Sequence, residues 1–216
     1  MVNLFLDEVK EFSVGMSCVD FIPVICFSIA SIILMRDLYN KMSKGAFALF
    51  SAGVIDIAFA GGLKALYKLL YALNICDFTP LSNMFFPVQS IGFLLAGLGI
   101  LAMLTHKQKE TLNSLVVLTP APFSGTFIFV TFMVAGIGII STCLSILAKK
   151  LNKGWLMILF IITFFACMSM GYLSSRDFAK ASLNWIAEGI NVLGQGCLLF
   201  GCYKLHKAGL KELNLD

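Results

Sequence analysis

The chain has 216 residues, of which 59% are hydrophobic and only 13% charged, with a mean hydropathy of +0.90 and a formal net charge of +4. Soluble domains are about half apolar and a quarter charged, so this composition excludes an ordinary water-soluble domain and places the chain in a membrane. The lysines gather in a few short breaks between apolar runs, which suits loops at a lipid headgroup surface and argues against a nucleic-acid partner.

At the start, MVNLFLDEVKEF lacks the basic region of a signal peptide and carries Asp7, Glu8 and Glu11, so no cleaved signal is expected. Phe5, Val9, Phe12 and Met16 follow i, i+4, i+7, i+11 spacing, which predicts an amphipathic helix lying on the membrane surface over residues 1–16. Beyond it, six runs approach the length of about 20 apolar residues that a bilayer crossing needs: 17–36, 45–66, 84–105, 127–148, 154–174 and 183–204. Their separators, such as RDLYNKMSKG and KKLNKG, are too short for an aqueous domain. The reading is one all-α transmembrane bundle over 17–207, followed by a tail, 208–216.

In the first run Asp20 falls at the outer end, an interfacial position. The second, SAGVIDIAFAGG, places Asp56 twelve residues past Lys44, about 18 Å along a regular helix and near mid-membrane. A carboxylate there has to be protonated, paired or hydrated. Lys64 and Lys68 follow where the helix leaves the membrane and are expected to snorkel to water, with Lys64 the candidate partner for an interior acid. Gly61-Gly62 and, in the third run, Pro87 are candidate helix breaks; Gln89 and Ser90 are candidate interior groups.

TLNSLVVLTPAPFSG, residues 111–125, is apolar but short for a span. If it stays on one side there are six helices; if it crosses there are seven, in a three-one-three plan. With seven, one face collects Arg36, Lys41, Lys44, Lys107, Lys109, Lys149, Lys150, Lys153, Lys204, Lys207 and Lys211, eleven of the 16 Lys and Arg. The positive-inside rule prefers that plan, with the N-terminus outside and the C-terminus cytoplasmic in the cell membrane, and with 111–125 re-entrant or interfacial as the alternative. CDFTPLSNMF resembles RDFAKASLNW, with Asp77/Asp177, Phe78/Phe178 and Ser82/Ser182 each 100 residues apart, and His106-Lys107 recurs as His206-Lys207. These matches suggest repeat halves, 17–107 and 127–207, of like orientation. The plan resembles, in helix count alone, that of PQ-loop-type sugar transporters and heptahelical receptors; Pro87-Val88-Gln89 departs from the Pro-Gln dipeptide of the former.

The last run, NWIAEGINVLGQG, is the most informative. Asn184, Glu188, Asn191 and Gln195 are spaced +4, +3 and +4, so they form one polar stripe about 60° wide. Hydrocarbon cannot satisfy such a stripe, so it is expected to face a hydrated or ligand-filled interior. With Trp185, Asp56, Gln89 and Ser90 it makes up the candidate substrate-binding set. The seven cysteines contain no C-x-x-C pair and the only histidines are His106 and His206. No catalytic residue, metal site or cofactor is therefore expected. These features favour a small transporter or carrier for a small polar or cationic solute, proton-coupled through the acids, and leave room for a homo-oligomer. A receptor-like ligand sensor is the alternative, and a membrane-embedded lipid-modifying enzyme a third.

Overall fold

A computed structural model of the protein describes residues 13–105, 126–173 and 181–215. The surface helix expected over 1–16 therefore lies largely outside the described residues, as does 111–125. Among those described, 88% are helical and none is in a strand. A short helix α1 (Val14–Val19) leads into α2 (Phe21–Leu38), followed by α3 (Lys44–Ala72), α4 (Thr79–Thr105), α5 (Thr126–Lys150), α6 (Met157–Leu173) and α7 (Ala181–Lys207). Five helical stretches, the first of them Val14–Lys41, are long and apolar enough to cross a membrane. The sixth, α7, matches them in length, at 27 residues, but carries the polar stripe.

The helix starts follow local chemistry. The Ser13 side chain accepts from Met16 N at 3.2 Å and the Ser43 side chain from Ala46 N at 3.2 Å, so each hydroxyl satisfies one orphan N–H of a first turn. The Ser13 cap begins the first span earlier than the apolar run suggests, which sinks Asp20 about 10 Å below the helix start. α3 passes through Gly61-Gly62 and α4 through Pro87 without interruption, so neither expected break is present. Packing on both sides holds these helices together where local propensity is weak.

Each helix packs on the next in chain order and α7 closes on α2, making a six-membered ring. Contacts give the directions. Gly53 of α3 meets Gly92 and Ala96 of α4 while Gly99 meets Phe50, so this pair is antiparallel. Phe86 lies 6.4 Å from Phe129, between ring centroids, and further along Gly97 meets Gly136, so α4 and α5 are parallel. α6 runs against α7, with Phe160 on Gly201 and Ala166 on Gly194. The triplets α2–α4 and α5–α7 thus have the same orientation, and α2, α4, α5 and α7 all start at one face. At the opposite, end face lie Arg36, Lys41, Lys44, Lys149, Lys150, Lys153, Lys204, Lys207 and Lys211.

Close approach rather than bulk determines two of these seams. A Cβ on Gly53 would sit 2.4 Å from Ala96 N, and one on Gly136 would sit 2.3 Å from the Phe93 carbonyl carbon, so only glycine fits at either place. The outer surface is apolar: Ile22, Ile25, Ile29 and Ile32 form an exposed stripe along α2, and Trp185, Ile186 and Leu193 one along α7. In water such stripes would drive association; in lipid they are the ordinary outside of a bundle.

Candidate functional site

The stripe on α7 faces the ring interior. Asn184 is 1% exposed, Glu188 5% and Gln195 8%, whereas Trp185 on the next position is 48% exposed and points away. Asn191 is half-buried between them. The helical period that clusters the four polar groups is what turns Trp185 outward.

Glu188 meets a buried ion cluster. Lys68 Nζ donates to Glu188 Oε1 at 3.0 Å and lies 2.7 Å from Asp20 Oδ2, and all three side chains are 6% exposed. Asp20 comes from the head of α2, Lys68 from the tail of α3 and Glu188 from the first third of α7, so the cluster ties three helices together near their common face. Both lysines expected to snorkel stay within reach of the interior. Lys68 is 5% exposed, and Lys64, one turn earlier, places its ammonium 4.0 Å from the Phe85 ring centroid. Lys68 bridges the two acids. Asp20 is 7% exposed, its carboxylate turned into the bundle. The second oxygen of Glu188 and the amide oxygen of Gln195 are buried acceptors with no hydrogen-bond donor among the described residues.

Three adjoining hollows surround the cluster and share Lys64, Phe85 and Met170 in their walls. One of about 60 Å³ lies on the inner side of the ion cluster, with Asp20, Gln89, Glu188, Asn191 and Gln195 in its wall. Another, about 220 Å³, lies toward the helix starts beside Tyr67, Lys68, Ser82 and Asn184. The third, about 50 Å³, extends toward α5 and α6 past Gln89, Gln195 and Cys167. Since one water needs roughly 10–15 Å³ of such space, the smaller hollows have room for a few waters each. The floor is apolar: Phe27 and Ile57 close it, and Ala30, Leu34, Phe50, Ile100, Phe160 and Leu198 fill the ring beyond.

Of the residues singled out in the sequence, Gln89, Asn184, Glu188, Asn191 and Gln195 come together at these hollows. Asp56, Ser90 and Trp185 do not. Asp56 is half-buried at the α3–α4 seam against Gly92. Ser90 is fully buried, with its hydroxyl donating to Phe86 O at 2.7 Å within α4. Asp20 and Lys68 are the members sequence reasoning did not place in the site. The available signal was that Glu188 needed a cation, and that Lys68 shares a helix face with Lys64. Thr163 is a further contributor. Its hydroxyl lies 3.1 Å from Gly194 O and 2.9 Å from Leu159 O, where α6 meets the stripe.

An all-helical ring with an apolar exterior, a buried ion cluster and several helices long enough to span a bilayer defines a membrane protein of the polytopic helical class. No protein-family model matches the chain, and no curated protein or solved structure is significantly similar to it.

Proposed function

We propose that the protein is a small carrier for a small polar solute, coupled to protons through Asp20 and Glu188. The observation that supports this is the Asp20–Lys68–Glu188 cluster at the wall of a polar hollow, with apolar side chains filling the ring beyond it. Asp20 and Glu188 share the Lys68 ammonium in a medium that penalises net charge, with Lys64 in the wall of the same hollow, so a proton gained or lost at the acids shifts the charge balance of the whole cluster. Loading and releasing that proton changes how tightly α2, α3 and α7 are drawn together. That is the kind of differential interaction by which a bound ion biases two conformations. The amides of Asn191, Gln195 and Gln89 supply donors and acceptors for the solute. The two smaller hollows suit a few waters each, so a solute larger than that enters them only when α2, α3 and α7 part.

The same proposal includes seven crossings and an orientation. Because α4 and α5 are parallel, the chain that leaves α4 at Thr105 has to re-enter α5 at the opposite face. Within the intervening chain, 111–125 is therefore proposed as the additional crossing, joining two like-oriented triplets as a duplicated three-helix unit would require. The lysine-rich end face is proposed to be cytoplasmic.

The test is flux in proteoliposomes containing a pH-reporting dye, challenged with a panel of small amines, amides, polyols and amino acids. Wild-type protein is expected to show proton movement that depends on one member of the panel, and Glu188→Gln and Asp20→Asn are expected to abolish it while remaining folded. Undiminished coupled flux in both variants overturns the reading.

A further inference from the structure

The segment after α7 closes the basic face of the ring. α7 ends at Lys207 in a Schellman turn: Gly209 takes φ +87° and Leu210 N donates to Leu205 O at 3.1 Å, which sends the chain back under the bundle. Leu210 is fully buried among the core residues, with Leu213 and Leu215 packed against the same cluster. Two lysines hold the returning backbone from separate helices: Lys41, just past α2, donates to Leu213 O, and Lys150, at the end of α5, donates to Leu215 O at 3.4 Å. α2 and α5 are not neighbours in the ring. The segment therefore spans the mouth from one side to the other.

Its anchor is also built. His206 Nδ1 lies 2.8 Å from Asp37 Oδ2, and Arg36 Nη2 lies 3.0 Å from His206 Nε2. With a proton on Nδ1 the ring donates to the Asp37 carboxylate. This chain of groups fixes the base of α7 to the end of α2, directly above the turn.

We propose that residues 208–215 are the inner gate of the molecule, a strap that closes the cytoplasmic end while the polar hollows remain beneath the opposite face. As a gate it rests on the carrier reading; as a closure it does not. Cys202, fully buried one turn before Leu205, is the thiol that this closure is expected to shield. Opening requires that Leu210, Leu213 and Leu215 leave the core and that the two lysine-to-carbonyl bonds break, a smaller change than separating packed helices.

The experiment labels full-length protein in vesicles with a membrane-impermeant maleimide at the basic face and reads Cys202 modification by peptide mass spectrometry. Wild-type protein is expected to be protected. Leu210→Asp and the double variant Lys41→Met/Lys150→Met are expected to raise the Cys202 labelling rate at least about tenfold, and Leu210→Met to leave it low. If Leu210→Asp does not fold, the double lysine variant decides. Unchanged protection in every folded variant, or labelling of wild-type Cys202 as fast as an exposed thiol, overturns the strap. Labelling that rises as expected with no solute flux in any variant leaves the strap standing and removes the carrier reading.

Discussion

Two carboxylates facing one ammonium in a low-dielectric interior persist because mutual attraction offsets the loss of hydration, and that balance fails when one partner is removed. Replacing Lys68 with Met leaves Asp20 and Glu188 buried side by side, and the expected loss is about 3–5 kcal/mol, read as a fall in the thermal midpoint in detergent. Adding Asp20→Asn and Glu188→Gln to Lys68→Met is expected to restore most of it, because the uncompensated charge is gone. No recovery in the triple variant would show that Lys68 acts through packing instead. The stripe Asn184, Glu188, Asn191 and Gln195 was legible in the sequence because a helical period fully determines which side chains share a face. Its partners were not, since Asp20 and Lys68 come from other helices and their burial depends on how those helices sit. Asp56 is the converse case: its depth along α3 was readable, but the rotation that points it to the α4 seam was not.

Glycine at the helix seams yields a paired prediction about elements. Gly53→Ala drives a methyl into the α4 backbone at 2.4 Å, whereas the Cβ of Gly62→Ala, nine residues on in the same helix, meets nothing within 4 Å. The first is expected to cost about 1–3 kcal/mol through forced separation of α3 and α4. The second should be neutral or stabilising by up to about 1 kcal/mol from helix propensity. Equal effects on detergent unfolding would show that the α3–α4 seam is not as tight as described. The apolar runs predicted the long helices to within a few residues at most ends, since crossing length and hydropathy are properties of one segment. The larger discrepancies come from caps and tertiary support. Ser13 started the first span before the apolar run, and α3 and α4 outlasted their runs because their ends line the hollows and pair with neighbours.

The arrangement of the whole molecule makes the sharpest topological prediction. The α3–α4 turn, with the exposed Cys76, and the α5–α6 turn, around Asn152, fall on opposite faces of the ring. In intact cells an impermeant thiol reagent is expected to label Cys76, and a cysteine introduced as Asn152→Cys only after permeabilisation. Labelling of both from outside would mean that 111–125 does not cross and that α5 is inverted relative to α4. Composition, hydrophobic run length and residue period determined, from the sequence alone, that this is a helical membrane protein with a polar ridge turned inward, because each is a local property that lipid acts on directly. The tertiary structure alone decided that α7 closes on α2, that Lys68 bridges Asp20 and Glu188, and that the chain after α7 turns back beneath the ring. Those outcomes depend on the distance and rotation between segments far apart in the chain, which no single stretch of residues encodes.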